Sequence, residues 1–205
     1  MKRNQGLVVG IDEVGRGPWA GPLLVCAVAL DMSKDYLGLN DSKKLSKKRR
    51  EILAKYIKRE AIDIGLGWVK VSELDKLGMT ASLKLATKRA FDQLKKATQQ
   101  QADRIVVDGN IRLLDDDRVQ VVVKADATVP AVSAASIVAK VTRDSYMSQL
   151  DRLYPEYGFS RHVGYGTKAH HDALLVHGAI LGVHRQSFAP IRQLTDQQSS
   201  VARIG

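Results

Sequence analysis

Four acids occupy places where a carboxylate is hard to accommodate unless it does chemistry. Asp12 and Glu13 follow the apolar run Leu7-Val8-Val9-Gly10-Ile11. Asp108 follows Arg104-Ile105-Val106-Val107, and Asp126 follows the run Val119 to Val123 by way of Lys124-Ala125. Each run reads as a short buried strand. Each acid therefore lies at or just past a strand's C-terminal end, where ligands gather in open α/β sheets. Carboxylates converging there repel one another unless cations compensate them. Mg²⁺ and Mn²⁺ prefer oxygen donors, and Mg²⁺ commonly takes one or two carboxylates plus substrate phosphate. Two such ions about 4 Å apart can activate a water and stabilise the leaving oxygen in phosphodiester hydrolysis. Singly, each acid has an ordinary explanation: Asp108-Gly109-Asn110 is turn chemistry and Asp126 suits a helix cap. Their shared placement is the argument for a metal-dependent site.

Gly15-Arg16-Gly17 comes directly after the first acid pair. Glycines there permit positive φ and let a ligand approach the backbone closely. Two phosphate-loop motifs nearly match and fail on chemistry. Gly10 to Gly17 mimics P-loop spacing, but has Arg for Lys, Gly for the hydroxyl residue, and two carboxylates where phosphates would lie. Gly15 to Ala20 fits a dinucleotide fingerprint, yet Pro18, Pro22 and a strand-like run follow in place of a helix.

The elements that must position these groups alternate between strand and helix. Leu23 to Leu30 reads as a second buried strand, antiparallel to the first. Ser46 to about Glu60 reads as a helix capped by Ser46, with Ile52, Leu53, Tyr56 and Ile57 on one face. Ile64, Leu66 and Trp68 alternate as a strand with one solvated face. Ser72 and Asp75 form a possible capping box. A helix is expected after Gly78 to about Gln99, carrying Leu83, Ala86, Ala90, Leu94 and Ala97 in register, and a longer one from Pro130 to Leu153. Asn40-Asp41-Ser42 reads as a turn. Gly-rich turns and short helical pieces fill the last fifty or so residues. The pattern is an α/β fold with a mixed sheet, in one domain: a core over about 1–150 and a helical extension over about 151–205.

The chain has 205 residues, 32 Lys or Arg against 22 Asp or Glu, and a net charge of +10. That length buries a real core, and that surplus points to a polyanion, most often nucleic acid. Lys43, Lys44, Lys47, Lys48, Arg49 and Arg50 crowd a helix start, where cations oppose the helix dipole. Phosphate contact explains them better than helix stability does. Cys26 is the single cysteine, so no intramolecular disulfide forms; it sits in an apolar run as a small hydrophobe. Nothing resembles a signal peptide, and the longest apolar run, Pro18 to Leu30, holds two prolines and is too short to span a bilayer. A cytoplasmic monomer is expected. Tyr165 stands between two glycines, where its ring can project. The five histidines show no metal spacing and read as structural or phosphate-facing.

With these residues assembled, the chain resembles the bacterial ribonuclease HII family over nearly its whole length. The matching segments are GIDEVGRGP at 10–18, NDSKKLS at 40–46, VDGN at 107–110, KAD at 124–126, SAASIVAKVTRD at 133–144 and HVGYGT at 162–167. The resemblance implies a ribonuclease H-like mixed five-stranded sheet flanked by helices, with a C-terminal helical extension. It also implies Mn²⁺- or Mg²⁺-dependent hydrolysis of RNA in RNA–DNA hybrids and cleavage 5′ of single ribonucleotides in duplex DNA, leaving 3′-hydroxyl and 5′-phosphate ends. By position, Asp12, Glu13, Asp108 and Asp126 would be the catalytic metal ligands. Gly15, Arg16 and Gly17 would meet the ribonucleotide through backbone, Tyr165 would pack on the adjacent sugar, and Lys43 and Lys44 would hold phosphates. Val163 departs from the family, which often has Lys or another polar residue there, so one cationic contact beside Tyr165 is expected to be missing. No aromatic-pair sliding-clamp motif stands in 193–205. The alternative from another class is a non-catalytic basic nucleic-acid-binding module, against which the four acids argue.

Overall fold

A computed structural model describes residues 6–36, 38–39, 45–97 and 101–201, with side chains described through residue 196. Lys43 and Lys44, and the turn expected at Asn40-Asp41-Ser42, lie outside the described residues.

Five strands form one sheet in the order β3-β2-β1-β4-β5. β1 (Leu7–Val14) is central. It pairs antiparallel with β2 (Leu23–Asp31) and parallel with β4 (Arg104–Asp108), which pairs parallel with β5 (Val119–Val122). β3 (Asp63–Val69) closes the far edge. The mixed sheet is the one expected.

Helices follow the apolar periodicity with three corrections. α1 (Lys47–Glu60) starts where Ser46 accepts a hydrogen bond from the Arg49 N–H. Its buried face is Leu53, Ala54 and Ile57, while Ile52 is 52% exposed, so the stripe sits about one residue round from the expected one. At α2 (Val71–Leu77) the capping residue is Lys70, whose N–H donates to Glu73, and not Ser72 with Asp75. Asp75 instead accepts from the N–H groups of Gln186 and Ser187, a long-range use that local spacing cannot reveal. In β3 no face is solvated as expected: Ile64 and Leu66 are half-buried against the first unit's core, and Gly65, Gly67 and Val69 on the other face are fully buried. α3 (Met79–Ala97) presses its backbone onto that glycine face, within contact only because no Cβ stands there. The rest is α4 (Pro130–Leu153), α5 (Phe159–His162), α6 (Lys168–His177) and α7 (Ala189–Val201). No helix among the described residues is long and apolar enough to cross a membrane.

The chain divides into two compact units, one of 1–14, 24–68 and 83–142, the other of 15–23, 69–82 and 143–205. In the first, α1 and α4 cover the sheet through a core that includes Val8, Val28, Leu30, Leu53, Ile57, Ile137 and Val138. Burying each such Leu, Ile or Val contributes roughly 1.5–3 kcal/mol. Cys26 is wholly buried there, as expected of a small hydrophobe. In the second unit, Met147, Leu150, Tyr157, Phe159, Leu174 and Ile191 form a separate core.

Candidate active site

In the first unit the parallel register aligns Ile11 with Val107, so the next residues, Asp12 and Asp108, lie side by side where β1 and β4 part, each still paired on its other side, Asp12 with Cys26 and Asp108 with Val122. Asp12 is buried, and its Oδ1 accepts the Glu13 N–H at 2.8 Å. The Ser136 hydroxyl, on α4, also donates to it. These bonds favour the charged carboxylate, but burial and then Glu13, with Asp108 beyond it, outweigh them and raise its pKa to about 7. Helix α4 reaches this depth because β1 has Gly10. A Cβ there would stand 2.1 Å from the Ala131 carbonyl carbon and 2.2 Å from the Val132 nitrogen.

Asp108 is held from the other side: its Oδ1 accepts the Ala125 N–H at 2.6 Å. That bond fixes the short 3₁₀ turn Ala125–Ala127, entered through Lys124 at φ 58, and the turn carries the buried Asp126. Glu13 and Asp108 are thus both brought within electrostatic reach of Asp12, and Asp126 is joined to Asp108 through one hydrogen bond and one residue. Among the described residues no three His, Cys, Asp or Glu side chains form a ready-made metal cage. The acids make an open edge of hard oxygen donors, one of which, Asp12, is raised far above the ordinary carboxylate range. Such a set fits a Mg²⁺ or Mn²⁺ ion that substrate phosphate completes.

The second unit carries the glycine-rich loop. Gly15 has φ +94, and a Cβ there would strike the Arg143 side chain. Two buried guanidiniums gather the loop's carbonyls. Arg185 donates to Gly15 O at 2.6 Å, Arg16 O at 3.1 Å and Gly21 O at 2.8 and 3.0 Å. Arg143 donates to Pro22 O, Ala20 O and Val163 O at 2.9, 3.0 and 2.9 Å. Burial lowers both, to about 9 for Arg185 and about 10 for Arg143, and both remain cationic at neutral pH. Because C=O and N–H point oppositely across a trans peptide, drawing in the carbonyls of Gly15 and Arg16 turns the N–H groups of Arg16 and Gly17 the other way. Arg16 and Gly17 are exposed.

Tyr165 belongs to the same loop system. Gly164 O accepts from the N–H groups of Trp19 and Ala20, at 2.8 and 3.3 Å. Tyr165 is 46% exposed, and a Cβ built at Gly17 would lie 3.3 Å from its ring Cε1. Val163 supplies no cation, and it adopts φ 46 at the end of α5, an outlier for a β-branched residue. His162, His170 and His184 are buried, which bears out a structural reading for those three.

Sequence reasoning missed Ser136, Arg143, His170, His184 and Arg185 as contributors. Ser136 and Arg143 were within reach: they lie seven apart on one helix, inside the segment 133–144. Arg185 and the two histidines make contacts that no local spacing announces.

A ribonuclease HII family model matches residues 9–191. The chain is 46% identical over 192 residues to the ribonuclease HII of Shewanella loihica, covering 92% of this chain and 89% of that one. The crystal structure of the ribonuclease H2 from Pyrococcus horikoshii OT3 superposes with a TM-score of 0.78 at 26% identity, covering 93% of this chain and 98% of that one. Bst-RNase HIII in complex with Mn²⁺ shares the fold, with a TM-score of 0.76 at 21% identity over 97% of this chain and 72% of its own.

Proposed function

The chain belongs to the ribonuclease HII family, a family of ribonuclease H enzymes, and on that premise we propose that it cuts on the 5′ side of ribonucleotides in RNA–DNA hybrids and in duplex DNA. The products carry 3′-hydroxyl and 5′-phosphate ends. Asp12 carries the reading: a buried carboxylate raised to about 7 by burial and by neighbouring acids is poorly suited to structure alone and well suited to a cation. It also speaks against a basic module that only binds, since nothing in phosphate binding calls for buried acids.

Asp12, Glu13, Asp108 and Asp126 would hold two Mg²⁺ or Mn²⁺ ions. When bound, such ions supply an activated water and charge stabilisation for the departing 3′ oxygen. The chain's own work is positioning. Glu13 N–H and Ser136 orient Asp12, and Ala125 N–H orients Asp108. Gly15, Arg16 and Gly17 address the ribose through backbone, with the N–H groups of Arg16 and Gly17 turned outward; its 2′-hydroxyl both donates and accepts and so marks RNA against DNA. Tyr165 packs on the neighbouring sugar and senses the RNA-to-DNA junction. Lys43 and Lys44 hold phosphates of the flanking strand, a reading that rests on sequence. The Mn²⁺ complex of the Bst enzyme supports a divalent ion here through the shared fold.

Asp108→Asn tests the proposal on a duplex with one embedded ribonucleotide, with Mg²⁺ and then Mn²⁺. Cleavage is expected to be abolished with duplex binding retained. Cutting at the parent rate would overturn the metal-site assignment.

A further inference from the structure

We propose that His184 and His170 form a one-way hydrogen-bond relay that positions Tyr165, making both histidines positioning residues for ribonucleotide recognition. The inference rests on the reading of Tyr165 as the residue that senses the sugar.

The relay has forced ends. The Ile180 N–H donates to His184 Nδ1 at 2.9 Å, and an amide N–H can only donate, so that nitrogen accepts and the His184 proton sits on Nε2. His184 Nε2 lies 3.1 Å from His170 Nε2, which must then accept. His170 keeps its proton on Nδ1, 2.9 Å from the Tyr165 carbonyl oxygen, which can only accept. Amide, ring, ring and carbonyl fit one tautomer of each neutral histidine. A proton added to either ring would set two donors face to face.

His162 closes the same system from the other side. Its Nδ1 accepts the Gly164 N–H at 3.2 Å, so Nε2 carries the proton and donates to Tyr157 O at 2.8 Å. Its ring stacks on that of His170, centroids 4.5 Å apart and planes 14° from parallel. A trio of neighbouring histidines would ordinarily suggest a metal site. Here all six ring nitrogens already serve hydrogen bonds, which leaves no lone pair for a cation. Phe159 and Trp19 wall the cluster against water, and burial keeps His170 and His184 neutral.

The consequence falls on Tyr165 because the relay ends on its carbonyl while its ring edge lies beside Gly17. His162 O accepts the Tyr165 N–H at 2.9 Å, so both peptide groups of this residue are tied to the histidine cluster. The Thr167 N–H also donates to that carbonyl at 2.9 Å, closing a tight turn that the His170 bond supports. Without His170 that turn alone holds the peptide, and the ring loses its fixed place beside Gly17.

Two measurements test the relay. Long-range ¹⁵N spectra of the intact protein at neutral pH should show His170 protonated on Nδ1 and His184 on Nε2; any other pairing overturns the proposal. The second is the ratio of kcat/KM on a single-ribonucleotide duplex to that on a long RNA–DNA hybrid. His170→Phe should lower this ratio about tenfold, while His170→Asn, whose amide N–H replaces Nδ1–H, should keep most of it. His184→Gln, which retains an N–H toward His170, should behave like His170→Asn, while His184→Leu, which has none, should lower the ratio as His170→Phe does and covers the case in which that variant does not fold. Tyr165→Ala separates the two ideas. If it leaves the ratio unchanged, the reading of Tyr165 fails whatever the spectra show. If it lowers the ratio while His170→Phe does not, the relay is overturned and the reading of Tyr165 stands.

Discussion

Arg143 donates from Nη1 to the carbonyl oxygen of Val163 at 2.9 Å, and Val163 is the β-branched residue that the chain holds at φ 46. A buried guanidinium thus stabilises a conformation that Val resists. Strain of this kind costs about 1–3 kcal/mol and persists only where surrounding contacts over-determine it. Glycine adopts that conformation without the clash of a branched Cβ.

Val163→Gly relieves that strain but adds chain entropy to the unfolded state and loses the packing of Val163 against the second unit's core. Val163→Ala loses most of the same packing and keeps a Cβ at φ 46, so the glycine variant should melt above the alanine variant, by about 1 kcal/mol in stability. An alanine variant as stable as the glycine one would show that Val163 is not held under strain.

Asp12 couples stability to pH in the metal-free protein. Its folded pKa, about 7, lies above the ordinary 3.8, so the folded state binds more protons between those values. The stability it contributes is complete below 3.8 and lost as pH rises through 7. With a chelator present, Asp12→Asn should shift the pH 8 urea midpoint upward relative to the pH 5 midpoint, compared with the parent. Divalent-ion binding at pH 6.5 should release a proton, seen by calorimetry in buffers of different ionisation enthalpy. Binding heats that do not vary with the buffer would count against a protonated Asp12.

His170 and His184 act in the opposite direction. Burial, foremost, brings both from 6.5 to about 4. Their stability is complete above 6.5 and lost as pH falls through 4, because the unfolded chain takes up protons first. Denaturation midpoints from pH 7 to pH 4 should decline, and His184→Gln should make that decline shallower. An identical slope in the variant would remove His184 from the account.

Gly10→Ala drives a methyl into the α4 backbone at Ala131 and Val132. A loss of about 2 kcal/mol or more is expected, from overpacking that no rotamer change relieves. As α4 gives way, Ser136 withdraws from Asp12, so Mg²⁺ affinity should fall beyond what the stability change alone explains. A destabilised variant that binds Mg²⁺ as tightly as the parent would show that α4 does not set the acid's position.

The strands were legible because each is a compact apolar run bounded by turn residues, and the acid ending three of them could be read along with it. β3 misled for a physical reason. Ile64 and Leu66 do meet the core, but alternation cannot show that the other face, at Gly65 and Gly67, is covered as well, by a helix backbone where side chains are absent. Asp75 misled in the same way, since Ser72-x-x-Asp75 looks local while its carboxylate serves residues more than a hundred positions away. Arg185 shows the limit most clearly. An isolated arginine near a C-terminus carries no pattern, and its importance lies wholly in three carbonyls contributed by 15–21.

β1 takes its antiparallel neighbour from the hairpin with β2, but its parallel neighbour comes much later, and the bond from Leu7 N–H to Asp103 already joins residues 96 apart. Asp12 meets Asp108 only after that crossing, and meets Ser136 only after α4 has docked on Gly10. Synthesis runs from the N-terminus, so the first acid pair leaves the ribosome long before its partners exist. A nuclease that emerges among RNA molecules is thus kept idle by the order of its own strands, and cutting competence arrives together with the finished fold.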